Sequence, residues 1–248
     1  MGEPVETAQS LTDWARSYFT NNDGSWPFAN YEQTVLDLVS QFSLQSVVEI
    51  GAGRSPLFTP KDFEAIGASY TMNDISQEEL DAAPEEVADA HKTCFDIAGA
   101  VQERDNYDLV YSKSVFEHVD GTMQAHRNTY QLLRPGGVSL HFYPTLFSPP
   151  FVVNKLIPER AGAWLLDKLV GHDYKKFPAL YDHCRSTHAL EAEIKQIGYS
   201  EVVLVPFWGH SYFHRIPLLR EFDHWLARRA AAHDVRLYSS FCYALARK

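Results

Sequence analysis

An acid followed by two closely spaced glycines, Glu49-Ile50-Gly51-Ala52-Gly53, stands at the end of an apolar run, and these residue types suit the binding of a small ligand. The glycines Gly51 and Gly53 let the backbone turn tightly and leave room for a ligand beside it. A carboxylate at the mouth of a central strand is costly unless it is hydrogen-bonded or turned to a ligand, so Glu49 is a candidate binding residue. A second acid, Asp74, lies 21 positions after Gly53. In a β-α-β unit that interval puts an acid at the carboxyl end of the neighbouring strand, where it can take both hydroxyls of a ribose. Capping of the helix opening at SQEEL is the competing role for Asp74, and Ser76 is the better cap. Eleven histidines add candidate proton acceptors.

These residues need elements to hold them. Val47, Val48 and Ile50 suit a strand covered on both faces, as in a parallel sheet. Ser55 and Pro56 read as the start of a short helix, and SPLF and TPKDFEAIG as two helical pieces in place of one long one. SYTMNDI is the second strand, ending at Asp74, and HKTCFDIAG holds a third. NYDLVYSK is the fourth, LLRPGG a turn that ends a helix, and VSLHFYP the fifth strand. A capped helix, STHALEAEIKQIG, then leads to strand SEVVLVPF, and VRLYSSFCYALA completes a sheet of seven. The fold class is α/β, a doubly wound and mostly parallel seven-stranded sheet with helical insertions. Ahead of it, residues 4 to 20 and 30 to 42 read as two helices, making residues 1–43 a helical cap. The loop NNDGSWPFAN between them carries Trp26 and Phe28, either anchored in the core or folded over a ligand.

The fingerprint of nicotinamide dinucleotides also follows a strand and opens a helix, but Pro56 stands where its third glycine belongs. The order acid-x-Gly-x-Gly instead resembles motif I of the class I S-adenosylmethionine-dependent methyltransferases, and NYDLVYSKSVFEHV resembles their motif IV. The resemblance spans about residues 45 to 144. It implies a Rossmann-like fold, S-adenosyl-L-methionine as cofactor and S-adenosyl-L-homocysteine as product. It also implies that Glu49, Gly51, Gly53 and Asp74 hold the donor, that Asp96 with Ile97 meets the adenine, and that Ser112 emerges beside the donor. Ser55 stands where many members of that family have another glycine.

In-line methyl transfer requires the nucleophile and methyl carbon to be held close and water to be excluded. A hydroxyl acceptor also requires a base. His118, in the motif IV region, either faces the transfer centre or packs and caps. His141 lies on the fifth strand, and His183, His210 and His214 lie in the insertions. Tyr143, at the end of the fifth strand, is a candidate to orient the acceptor, with Tyr181 a second. The insertions, 145–185 and 209–232, follow strands whose carboxyl ends carry ligands in such sheets, so they are expected to form an acceptor lid. Leu218, Phe222, Trp225 and Leu226 form one face of a helix in the second, a stripe suited to packing on the core or to shaping an apolar pocket.

A chain of 248 residues with 45% hydrophobic composition can bury a full core as one domain. Its net charge of −10 repels a phosphate backbone, which disfavours nucleic acid and points to a small-molecule acceptor. The oligomeric state is not legible. The three cysteines are scattered, which fits a reducing cytoplasm rather than a disulfide framework. Neither a leader segment nor a membrane span is expected. His172, Asp173, His183 and Cys184 do not form a recurring metal-ligand spacing, and GAGRS lacks the G-x-S-x-G elbow of a serine hydrolase. A donor-binding protein without methyl transfer, or one performing another reaction such as a cyclisation, is the alternative function.

Overall fold

The structure, a computed structural model, describes residues 9–147, 179–213 and 217–248. Among these, seven strands form one sheet: β1 (Ser46–Ile50), β2 (Ser69–Asp74), β3 (His91–Cys94), β4 (Tyr107–Lys113), β5 (Leu133–Pro144), β6 (Glu201–Phe207) and β7 (Phe241–Arg247). The order is β3-β2-β1-β4-β5-β7-β6. The first five pair in parallel, while β7 runs antiparallel to both neighbours. From β1 the chain proceeds outward to β2 and β3, then returns to lay β4 against the other side of β1. Such a reversal opens a crevice beyond the carboxyl ends of the strands, the place where open α/β sheets bind ligands.

The helices are α1 (Leu11–Tyr18), α2 (Trp26–Phe42), α3 (Pro60–Glu64), α4 (Gln77–Asp81), α5 (Thr122–Leu132), α6 (His188–Lys195) and α7 (Pro217–Ala232). Strand alternation sends neighbours to opposite faces. On one face Tyr111 and Phe142 meet α2 through Tyr31, while on the other Ser112 and His141 meet α5 through Thr129 and His126. The inner strands are therefore covered twice, and Val47, Val48, Leu109, Val110 and Leu140 have no exposed surface.

Several elements differ from their sequence reading. The first helix begins at Leu11, capped by Ser10, whose hydroxyl accepts from the Asp13 N–H (3.0 Å). Residues 4–8 of the expected span lie outside the described residues. The second helix starts at Trp26, inside the expected loop, because Pro27 fits a first helical turn that needs no donor. Trp26 stacks on Phe207 with ring centroids 5.8 Å apart, whereas Phe28 is half exposed and meets Phe142 and Phe241 edge-on. No helix forms at Pro56. The Leu57 N–H is instead drawn to Glu49, and the helix waits for the Thr59–Asp62 capping box. The last strand begins only at Phe241, after a single 3-10 turn at Arg236–Tyr238.

The apolar stripe of α7 does not pack on the core. Leu218 is 88% exposed, Phe222 58% and Trp225 48%, while the buried side chains of the helix are Asp223 and Ala230. Of the expected insertion 145–185, residues 148–178, with His172 and Asp173, lie outside the described residues, as do residues 214–216 of the second insertion, with His214. No helix among the described residues is long and apolar enough to cross a membrane.

Tyr31 ties α2 to the sheet. Fully buried, it donates its hydroxyl proton to the Ser112 carbonyl at 2.6 Å, with the Leu140 carbonyl at 3.1 Å. Replacing Tyr31 by Phe is expected to lower stability by about 1–2 kcal/mol through the lost buried hydrogen bond. Urea denaturation should show a lower midpoint at unchanged slope.

Candidate active site

The glycine turn sits at the carboxyl end of β1, with Gly51 at φ +75° and Gly53 at φ +47°, a region that favours glycine. A Cβ on Gly51 would come within 2.5 Å of Val115 Cγ2, and one on Gly53 within 3.1 Å of Asp74 Oδ2. The Ala52 N–H donates to the Asn73 carbonyl (2.9 Å), which fastens the turn to β2. Asn73 in turn donates its amide to the Thr93 and Phe95 carbonyls, 3.2 and 3.3 Å away, holding the end of β3.

Glu49 supports the turn from beneath. Its buried carboxylate accepts from the hydroxyls of Tyr70 (2.6 Å) and Tyr111 (2.8 Å) and from the Leu57 N–H (3.2 Å). Burial raises its pKa to about 7, against the pull of those donors. The partners of this carboxylate are thus protein groups that fix the path of residues 51–57.

Asp74 ends β2 beside the turn. Its Oδ1 accepts from the Ser76 N–H (3.0 Å), and Ser76 itself caps α4 by accepting from the Glu79 N–H. Oδ2 is left next to Gly53. Burial raises the Asp74 pKa above the usual carboxylate range, with the Ser76 N–H opposing. Asp96 follows β3 and is exposed, with Oδ1 accepting from the Ala98 N–H (2.8 Å). Ile97 is buried, and its carbonyl is held at 2.7 Å by the Asn128 amide of α5. Glycine turn, Asp74 and Asp96 therefore line the ends of three adjacent strands, β1, β2 and β3.

Ser112 does not join them. Alternation turns its hydroxyl to the α5 face, 2.9 Å from His141 Nδ1, and its carbonyl serves Tyr31. His141 is fully buried and held neutral by burial. Tyr143 is also buried, donating its hydroxyl to the Arg185 carbonyl (3.0 Å), so it anchors residues 179–186 over the sheet. His118 is exposed, with Nε2 3.8 Å from Glu117 Oε1, and His183 Nδ1 lies 3.3 Å from Asp182 Oδ2. Tyr181 is buried and donates its N–H to the Glu117 carbonyl (3.0 Å).

His210 stands apart from these, beyond β6. Its side chain is 1% exposed, with Nε2 3.2 Å from Asp223 Oδ1 on α7 and Nδ1 accepting from the Tyr212 N–H at 3.3 Å. It borders a cavity of about 930 Å³ between the start of α2, the end of β6 and α7, with Phe28, Trp208 and Phe241 among its walls. Sequence reasoning missed Asn73, Asn128 and Asp223, whose roles depend on carbonyls and side chains remote in sequence. It also passed over Glu117. This residue is buried, with Oε2 lacking a hydrogen-bond partner, and its carbonyl accepts from the Leu180 and Tyr181 N–H groups. An acid in a first helical turn is ordinary in a sequence, so only burial distinguishes it. Among the described residues no group of three or more His, Cys, Asp or Glu side chains is placed to hold a metal ion.

Residues 48–139 match the family model described as a methyltransferase domain. With the strand order and the glycine turn, that match makes this part of the chain similar to the class I S-adenosylmethionine-dependent methyltransferases. Among solved structures it is similar to an S-adenosylmethionine-dependent methyltransferase from Mesorhizobium loti, at 17% identity and TM-score 0.54 over 89% of this chain and 98% of that one. It is similar to one from Archaeoglobus fulgidus at 13% identity and TM-score 0.51, over 91% and 100% of the two chains. Phosphoethanolamine N-methyltransferase 2 of Haemonchus contortus, solved with S-adenosyl-L-methionine, gives 15% identity and TM-score 0.56 over 98% of this chain and 60% of that one. At these identities the likeness is one of fold. No curated protein matches the chain.

Burial moves the Glu117 pKa from 4.5 up to about 8. A raised pKa means that the folded protein keeps a proton which the unfolded chain releases near pH 4.5, so this contribution to stability is full below that pH and lost as pH rises through about 8. Glu117→Gln removes the titration. Relative to wild type, the variant should therefore gain on the order of 3 kcal/mol between pH 5 and pH 8, read from urea denaturation at both values.

Proposed function

We propose that the chain transfers a methyl group from S-adenosyl-L-methionine to the oxygen or nitrogen of a small organic acceptor, releasing S-adenosyl-L-homocysteine. The observation that carries this reading is the glycine turn with Asp74 Oδ2 beside Gly53, at the switch point of a methyltransferase sheet. Val115 packs so closely on Gly51 that a side chain there would strike it, which fixes the tight turn. When bound, the cofactor supplies an electrophilic methyl carbon on a sulfonium. Asp74 accepts from the ribose hydroxyls, the backbone of residues 51–53 lies along the nucleoside, and Asp96 with Ile97 borders the adenine. Glu49 acts one step back, holding the turn through Leu57.

On the acceptor side His118 and His183 are the proposed proton acceptors for a hydroxyl substrate, and Tyr143 positions the segment that carries His183 and Tyr181. His210, with Nδ1 accepting from the Tyr212 N–H and Nε2 3.2 Å from Asp223, serves to hold α7 against the end of β6. In this scheme the first 144 residues, including the cap 1–43, mainly hold the donor, while 145–185 and 209–232 serve the acceptor. The net charge of −10 favours a small acceptor over nucleic acid. Three free thiols, Cys94 exposed and Cys184 and Cys242 buried, agree with a cytoplasmic setting.

Calorimetry should show binding of S-adenosylmethionine and S-adenosylhomocysteine without competition by NAD; binding of NAD alone would overturn the assignment. Asp74→Ala should weaken donor binding by about 1–3 kcal/mol. Radiolabelled donor incubated with cell extract should label small molecules, whereas label confined to nucleic acid or protein would refute the acceptor class. His183→Asn should lower turnover about a hundredfold with donor affinity unchanged within about 0.5 kcal/mol.

A further inference from the structure

Helix α7 is mounted with its apolar row outward and Asp223 and Ala230 inward, and a basic row runs along its flank. Arg220, His224 and Arg228 follow one another at four-residue intervals, which places them on a single face of the helix. All three border the 930 Å³ cavity, and the small side chains of Ala227 and Ala231 on the same lining leave room between them. An amphipathic helix ordinarily buries its apolar stripe. Here Leu218, Phe222 and Trp225 are exposed instead, and the helix is held in this rotation by the buried Asp223–His210 pair.

The wall facing this basic row is aromatic. Phe28, Trp208 and Phe241 line it, and Phe28 lies edge-on to both Phe142 and Phe241 at 4.8 Å between ring centroids. Asp23 is the one carboxylate among the described lining residues, and its Oδ1 is taken by the N–H and hydroxyl of Ser25. Arg220 is paired with Glu221 at 2.9 Å on the solvent side, whereas Arg228 has no ion pair among the described residues. In a chain of net charge −10, a cavity with cations on one wall and rings on the other is a local inversion of the general field.

The cavity lies where Phe241 of β7 pairs with Pro144, at the carboxyl end of β5. The Phe142 carbonyl accepts from the Ser114 N–H at 2.8 Å, and Val115 packs on the glycine turn. β7 lies two strands from β4, roughly 10 Å.

We propose that this cavity is the acceptor subsite and that its ligand is an aromatic monoanion, with the ring against Phe28, Trp208 and Phe241 and the anionic group on Arg228, flanked by His224 and Arg220. Guanidinium binds a carboxylate through two parallel hydrogen bonds, which an uncharged amide of the same shape cannot reproduce. The chemical role of the site rests on the methyl-transfer reading; binding of the anion does not.

The test is calorimetry on the full chain with 4-hydroxybenzoate as probe, 4-hydroxybenzamide as its uncharged counterpart, and S-adenosylhomocysteine titrated into the same samples. Wild type should bind the benzoate at least about tenfold more tightly than the benzamide. Arg228→Gln should bring the two within about twofold, Arg228→Lys, which keeps the charge without the paired hydrogen bonds, should fall between wild type and Arg228→Gln, and affinity for S-adenosylhomocysteine should be the same in all three proteins. Equal affinities in wild type, or a preference that survives Arg228→Gln, would overturn the proposal. Benzoate binding without S-adenosylhomocysteine binding would sink the methyl-transfer reading and leave the subsite standing. The converse would sink the subsite alone.

Discussion

Glu49 is a buried carboxylate with three protein donors, and much of the site depends on it. Taking an ionised acid out of water is costly unless its lone pairs are satisfied. Tyr70 from β2, Tyr111 from β4 and the Leu57 N–H after the turn supply that satisfaction from three directions. The two hydroxyls bind β1 to its neighbours across the switch point, while Leu57 pulls the chain leaving Gly53 back beneath the sheet edge. The same requirement explains why no helix forms at Pro56, since a helical path would carry the Leu57 N–H away from its acceptor. Stacking of Phe63 on Tyr70 and edge packing of Phe58 on Tyr111 lock the rings that present these hydroxyls.

Around this centre the molecule divides its polar work between two faces. The α2 face is mainly aromatic, with Tyr31, Phe142, Phe207 and Tyr243 in mutual contact, and hydroxyls there reach carbonyls, as Tyr243 does to Pro27. On the α5 face Ser112, His126, Thr129 and His141 form a buried polar layer against Phe116. Burial lowers the pKa of both histidines in that layer, to about 3 for His126, so both stay neutral, His141 facing Ser112 and Thr129 and His126 packing on Phe116 and His141. This layer lies below residues 179–186, which are pinned by Tyr143 to Arg185 and by the Glu117 carbonyl to Leu180 and Tyr181. The end of β4 is thereby a junction between the glycine turn and residues 179–186.

The region of α7 is organised by a different constraint, the pairing of two buried ionisable groups. His210 and Asp223 come from separate elements and are both nearly inaccessible. Removing either would leave the other buried without its partner, so the rotation of α7 follows from their pairing rather than from burial of its apolar row. That rotation brings the basic row of α7 to the cavity.

The sequence by itself determined the order and class of the elements. β-branched runs, glycine turns and Ser or Thr caps are local signals, and they located β1, β2, β4, α6 and β6 because each rests on interactions within a few residues. The acids Glu49, Asp74 and Asp96 were legible for a related reason: in a parallel sheet, strand ends fall at regular chain intervals. Tertiary structure alone decided which way the side chains at those ends face. Ser112 was read beside the donor, yet pleat alternation turns it to α5. Glu49 was read as facing a ligand or hydrogen-bonded, and two tyrosines remote in sequence satisfy it. The rotation of α7 likewise could not be read from its pattern, because hydrophobic periodicity identifies the apolar face of a helix without saying what lies opposite. An ion pair between His210 and Asp223 is a contact between separate elements, and no local rule contains it.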